Sequence, residues 1–342
     1  MRILSARGLA LLMVGLLFVP GCGRKKADFA FITNGIDPFW TFAQRGTEKA
    51  AKDLVQEVDF KQPPLASSKE QQQYIEDLLA AGVKGIAISP VGAKDMGDFF
   101  KSKMKNIPLI LVDSDVPDTS CRRAYIGTHN YRAGRAVGEM VKKAVPKGGK
   151  LAIFVGRLDV QNAVERRQGV LDFLAGIDAK EMNEKTITPF DARDLKVGDF
   201  MLVDTFTDGT NAGVSQQKAE DLLTRADDIA VMVGLWAYNP PAMLQAKEKL
   251  KAKAVIVGFD EDQNTLIAIR EGKIVGTVVQ APFEFGYQSI RILHALSKGD
   301  DGYLKKNYPN IDAENRIYID HRVITKDNVE AFHAEVKKLL KP

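Results

Sequence analysis

The stretch Phe29-Ala30-Phe31-Ile32-Thr33-Asn34-Gly35-Ile36-Asp37-Pro38-Phe39-Trp40 sets the pattern that the rest of the chain repeats. Its first five residues form a short apolar run, too brief for a helix, and predict a strand covered on both faces. Asp37-Pro38 follows as a helix-opening pair, and apolar residues at helical spacing extend the helix from Phe39 to Leu54. A buried strand feeding a helix of this length is the first half of a βαβ unit.

Downstream the alternation continues with a helix over 69–81, a strand over 85–89, a helix over 93–105 and a strand over 108–112. A second series begins after Ile126-Gly127. It reads as helix 130–144, strand 151–155 and helix 162–174, then a less regular stretch, then strand 200–205, helix 216–225, strand 229–233, helix 241–250 and strand 255–259. Helices between strands imply right-handed crossovers and parallel sheets, so the expected fold is α/β, with two doubly wound lobes in tandem. A length of 342 residues also exceeds what one core usually serves. Strand 274–279 and helices 283–297 and 328–340 are too few for a third domain. They are expected to return and complete the two lobes, leaving several strands as a hinge. On this reading residues 28–128 plus 281–318 form an N-terminal lobe and 129–280 plus 319–342 a C-terminal lobe.

The first residues belong to neither lobe. Arg2 and Arg7 flank the start of an uncharged run from Gly8 to Val19, too short to cross a bilayer, which takes about 20 apolar residues. The run has the shape of a secretory signal peptide, here residues 1–21. Val19-Pro20-Gly21-Cys22 resembles the bacterial lipobox, which implies cleavage before Cys22, a lipid on its thiol and a tether over 22–27. Pro20 stands where that motif more often has Ala or Ser. The expected location is therefore the cell envelope, outside the cytoplasm and anchored to a membrane.

Apolar residues at 45% and charged residues at 27% are ordinary for a soluble globular protein. The net charge of +4 includes Arg2, Arg7, Arg24, Lys25 and Lys26, all ahead of Asp28; without those five of the 48 basic residues, 43 stand against 44 acidic ones. That balance takes away the electrostatic ground for a nucleic-acid partner. Cys121 is the one cysteine of the folded part, and four histidines without paired spacing argue against a metal site. No cofactor motif is present: Gly148-Gly149-Lys150 runs into Leu151, which is not a phosphate-binding loop.

In open parallel sheets the ligand sits beyond the carboxyl ends of the strands. Those ends here carry Asn34, Asp37, Asp113, Arg157, Asp159, Asp208, Trp236, Asn239 and Asp260. Several segments resemble the periplasmic sugar-binding proteins of the ribose and galactose type. Ile32 to Trp40 is similar to that family's first strand and aromatic helix start, and Ile107 to Ser114 to its fourth strand with a terminal aspartate. Asn162-Ala163-Val164-Glu165-Arg166-Arg167-Gln168-Gly169 has the sugar-binding arginine three residues before a glycine. Val257-Gly258-Phe259-Asp260 and Gln280 match two further contacts.

The resemblance implies a type I periplasmic-binding fold, no catalysis, and a monomer that closes on a sugar and presents it to the permease of an ABC transporter. Carried over position by position, it implies a ligand site made of Asn34, Asp37, Phe39, Trp40, Asp113, Ser114, Asn162, Arg166, Asp208, Trp236, Tyr238, Asn239, Asp260 and Gln280. The chemistry suits a sugar: aromatic rings cover its C–H faces, carboxylates accept from neighbouring hydroxyls and a guanidinium donates in a planar fork. Departures bear on which sugar. Ser114 stands where ribose-type members have an arginine, Asp37 replaces an asparagine, and the match around Asp208 needs extra residues, so ribose itself is not the expected ligand.

Other readings of the same residues remain open at this point. Aspartates after strands commonly cap helices. Asp113 and Asp260 facing across a cleft would also suit a general acid and base on a glycoside. A sensory binding protein reporting to a chemoreceptor or kinase shares the fold, as do sugar-responsive repressors, although here no helix-turn-helix precedes the first strand.

Overall fold

The computed structural model describes residues 26–340; the expected signal peptide and Cys22 lie outside the described residues. The first unit runs β1 (Phe29–Ile32), α1 (Phe39–Leu54), β2 (Val58–Lys61), α2 (Ser68–Ala81), β3 (Gly85–Ile88), α3 (Ala93–Lys103), β4 (Leu109–Val112) and β5 (Ala124–Gly127). The second runs α4 (Asn130–Ala144), β6 (Gly149–Val155), α5 (Gln161–Leu174), β7 (Leu195–Val197), β8 (Phe200–Thr207), α6 (Ala212–Arg225), β9 (Ile229–Gly234), α7 (Asn239–Leu250), β10 (Val255–Phe259), α8 (Gln263–Arg270) and β11 (Gly276–Val279). The chain closes with α9 (Pro282–Ser297), α10 (Tyr303–Asn307), β12 (Arg316–Tyr318), β13 (Arg322–Thr325) and α11 (Val329–Leu339).

Two sheets result. The first has the order β12-β5-β4-β3-β1-β2, with every pair parallel. The second has the order β13-β11-β10-β9-β6-β8-β7, parallel within and closed at its margins by antiparallel β13 and β7. The apolar runs are continuous because both faces are covered. Phe29, Phe31 and Ile110 pack with Ala43 of α1 and Phe285 of α9, whereas Ala30, Ile32 and Ile86 meet Ile75 of α2 and Phe100 of α3. In the second sheet Leu151, Ile153 and Val155 face α4 and α5, and Ala152 and Phe154 face α6, α7, α8 and α11.

The chain passes between the sheets three times, at 128–129, 280–281 and 319–321. Two crossings are knitted together: Ile319 N–H donates to the Gly127 carbonyl at 2.9 Å, and the Tyr318 ring lies 4.6 Å from that of His129. Three parallel connections of this kind permit bending about them while resisting separation.

Some elements differ from the sequence reading. β2 went unread because it is a half-buried edge strand, Val-Asp-Phe-Lys, whose polar alternation looks like a loop. β5, β7, β12 and β13 are three or four residues long and too brief to show a period. α8, two turns of eight residues that open on the polar Gln263, Asn264 and Thr265, also went unread. α6 starts at Ala212 rather than Gln216 because Asn211 caps it, its Oδ1 accepting from Val214 N–H at 3.1 Å.

Candidate ligand-binding site

Asp113 follows β4 and Asp260 follows β10, and both take a left-handed backbone, φ 62° and 65°. Asp tolerates that region better than most residues, but it still costs free energy and needs a surrounding structure to hold it. Each turn is held the same way. Asp113 N–H donates to Ile126 O at 2.9 Å and Asp260 N–H to Val278 O at 2.7 Å. Their carbonyls accept hydroxyls from the neighbouring strand, Tyr125 at 2.9 Å and Thr277 at 2.8 Å. The strained turn aims each carboxylate past the strand end instead of letting it cap a helix.

Arg166 lies on α5, 2% exposed. Its Nε donates to Asn130 Oδ1 at 2.8 Å, its Nη1 to the Leu235 carbonyl at 3.1 Å, and its guanidinium stands 3.9 Å from the centroid of the Phe259 ring. Nη1 comes within 3.8 Å of Asp260 Oδ2. Gly169 explains the spacing of the motif: a Cβ there would lie 2.2 Å from Tyr131 O, and one on Gly134 would lie 2.1 Å from the carbonyl of Arg166 itself. Glycine on both helices lets α4 and α5 touch backbone to backbone, and that contact sets the depth of the arginine.

Burial pushes the Asp113 carboxyl above its ordinary pKa, against the opposing pull of Arg166, which stands on the other lobe. Asp260 is raised to about 6, by burial first; Arg166 and the Gln280 amide lower it, and Asp113 and Asp37 raise it further. Glu261 is raised well above the usual range by burial and by Asp260. Asp37 remains solvent-exposed, yet protein surrounds it closely enough for burial to raise it, with Asp262 adding to the rise. Acidic side chains that follow β1, β4 and β10 thus share one electrostatic neighbourhood, with Arg166 acting on Asp113 and Asp260 and Arg322 on Glu261.

The remaining sequence-predicted residues divide by what they already bond. Asp37 Oδ1 accepts from Phe39 N–H, the first amide of α1, at 2.8 Å. Asn34 Oδ1 accepts from Trp40 Nε1 at 2.8 Å, and Trp40 is 2% exposed in the core, edge-on to Phe39 at 4.9 Å. Phe39 is half-buried at its rim. Ser114 Oγ reaches Asp113 Oδ2 at 3.4 Å. Asp208 accepts from Tyr238 Oη, from Asn239 Nδ2 at 2.8 Å and from Thr210 N–H at 3.1 Å, and burial with that carboxylate holds the Tyr238 phenol far above its usual pKa. Asn239, fully buried, also bonds Ser215 and Trp236 N–H. These residues tie the loops after β8 and β9 into one wall.

Trp236 and Gln280 are different. Trp236 Nε1, Gln280 Oε1, Asn162 Oδ1 and Glu261 Oε2 are buried with no hydrogen-bond partner among the described residues. Gln280 lies in the second crossing and donates through Nε2 to Asp260 Oδ1 at 2.9 Å. An unmet buried polar atom costs about 1–3 kcal/mol; those of Gln280 and Glu261 lie beside Asp260, where a guest's donors would relieve that cost. By contrast Arg157 and Asp159 are exposed and pair with each other.

Two contributors escaped the sequence reading. Gln71, fully buried on α2, donates to the carbonyls of Thr33 at 2.8 Å and Ser89 at 2.7 Å and accepts from Val91 N–H at 2.8 Å. It braces the loops after β1 and β3. A glutamine in the same stripe as Ile75 and Leu78 was the available signal. Asn130 opens α4 and orients Arg166. A hollow of about 490 Å³ lined by Lys84, Lys101, Met104 and Arg123 lies at the amino ends of the first sheet's strands, opposite the crevice.

Comparison with known proteins agrees with this geometry. The model of the periplasmic binding protein domain matches residues 29–301. The ribose import binding protein RbsB of Haemophilus influenzae is 25% identical over 268 residues, 77% of this chain and 83% of its own length. A solute-binding protein of an ABC transporter from Burkholderia graminis, solved in complex with D-arabinose, superposes with a TM-score of 0.74 at 25% identity, over 89% of this chain and 98% of that one. A solute-binding protein from Bacillus halodurans with bound myo-inositol reaches 0.76 at 19% identity, over 91% and 98%, a likeness of fold. With two parallel-dominated sheets, strand-end carboxylates converging on one arginine, and a family match across most of its length, the chain belongs to the periplasmic binding proteins, a family of binders and not of enzymes.

Proposed function

We propose that this protein captures a monosaccharide or closely related polyhydroxylated solute between its lobes, 28–128 plus 281–318 and 129–280 plus 319–342, and delivers it as a monomer to the permease of an ABC transporter. One observation carries the reading: the buried Arg166 lies 3.8 Å from Asp260 on its own sheet's strand end and also pulls on Asp113 from the other sheet, beside polar atoms that lack partners. The sugar names attached to the relatives and to the solved neighbour support it. Closure about the three crossings brings the first lobe onto a solute already held by the second, and the permease reads closure. The sequence-predicted site residues are the proposed contacts, with Asn34 and Asn239 acting through Trp40 and Asp208. Residues 1–21 direct export and Cys22 carries the lipid.

A thermal-shift screen of pentoses, hexoses and polyols tests this, since a ligand bound only to the folded form raises stability by mass action. Asp260→Ala then weakens the best ligand on the order of 10- to 100-fold. A panel without any shift, or full affinity in both Asp260→Ala and Arg166→Ala, ends the proposal. Incorporation of labelled palmitate that disappears in Cys22→Ala tests the anchor.

A further inference from the structure

We propose that the solute taken by this crevice carries a protonated amine among its hydroxyls. The inference rests on the capture reading and narrows it. Around the site stand Asp37, Asp113 and Asp260; Arg166 is the cation acting on both strand-end aspartates, and Arg322 acts on Glu261, next to Asp260, which leaves three aspartates to one guanidinium. Arg166 is committed elsewhere as well, to Asn130, the Leu235 carbonyl and the Phe259 ring. The charged group acting on Asp37 is Asp262, also acidic. Ser114, next to Asp113, is neutral and donates weakly at 3.4 Å. A neutral polyol would enter this site and leave its surplus negative charge unbalanced in a dry place, where unpaired charge is costly.

The unpartnered atoms point the same way independently. Gln280 is 5% exposed; its Nε2 faces the Asp260 carboxylate, so the unpartnered atom is the acceptor Oε1. Glu261 Oε2 and Asn162 Oδ1 are acceptors too; at the strand ends and crossings Trp236 Nε1 is an orphan donor, and the hydroxyls of Ser89 and Thr128 can serve either way. A hydroxyl brings one donor and two acceptor lone pairs, whereas an ammonium brings three donors and no acceptor. A metal ion is the other cation that carboxylates attract, and no group of three or more His, Cys, Asp or Glu among the described residues is arranged to hold one. An alkylammonium needs only the acceptors already present.

Calorimetric titration of the full chain at neutral pH with matched pairs decides the matter: glucose against glucosamine, galactose against galactosamine, myo-inositol against its amino-deoxy analogue. The amine of at least one pair is expected to bind on the order of a hundredfold tighter than its parent, and Asp37→Asn, a change at an exposed position, to cut that ratio about tenfold with an unchanged melting temperature. A neutral parent binding as tightly as its amine in every pair that binds overturns the inference and leaves the capture of neutral polyols standing. Binding of neither member of any pair, with no shift from the wider sugar panel, overturns both.

Discussion

The turn after β4 and the turn after β10 are built alike and loaded differently. Both aspartates sit at positive φ, both amides reach across to the next strand, and both carbonyls accept a hydroxyl from it. Their carboxylates differ. Asp260 has Gln280 at 2.9 Å and Arg166 at 3.8 Å within its own lobe; Asp113 has only Ser114 at 3.4 Å nearby on its lobe and draws on Arg166 from across the crevice. On the proposed capture reading, one half of the site is assembled in advance and the other is completed by closure. That asymmetry suits a solute that docks first on the second lobe and is then covered by the first.

The comparison predicts graded effects. Arg166→Ala leaves Asp260 buried beside its own lobe without a countercharge and is expected to cost about 3–5 kcal/mol in urea unfolding, whereas Asp113→Ala, which strands no cation of its own lobe, costs much less. Equal losses would erase the distinction between the halves.

A second test uses pH. The folded pKa of Asp260, raised from 3.8 to about 6, means the folded empty protein holds a proton that the unfolded chain has released. Stability of the empty protein therefore falls as pH rises from about 4 to about 6, by about 3 kcal/mol at most from this group. Asp260→Asn removes that slope in pH-dependent thermal melts, and a slope left intact assigns it to other carboxyls.

Of smaller size is the effect of Gly169→Ala, whose methyl meets Tyr131 O at 2.2 Å. Forcing α4 from α5 is expected to cost about 1–3 kcal/mol and to lower solute affinity by lifting Arg166; wild-type affinity in a destabilised variant would separate packing from positioning. Smallest are Tyr125→Phe and Thr277→Val, each removing one hydroxyl from an aspartate carbonyl at about 1 kcal/mol. Nearly equal losses in the two lobes would confirm that the turns, unlike the carboxylates, are equivalent.

Much of this was legible without coordinates, because buried parallel strands are written as unbroken apolar runs. Phe29 to Thr33, Pro108 to Val112 and Val255 to Phe259 could be read in isolation, and their ends named Asp113 and Asp260. Edge elements were not legible: Val58 to Lys61 alternates, since only part of it is covered. Nor was the division of labour within the site. Asn34, Asn239 and Asp208 read as contacts in a string of letters, and only the coordinates show that they also hold Trp40 and two loops in place.

By itself the sequence determined the local periods, the two α/β series, the strand ends and the identity of the ionisable groups placed there, all of which depend on neighbours a few residues away. Only the tertiary structure decided that β12 and β13 return to opposite sheets, that Gln71 and Asn130 brace the site, and that one arginine serves carboxylates from both lobes. Those outcomes depend on which distant groups share a low-dielectric space, and burial, not chain order, settles how strongly charges act on one another.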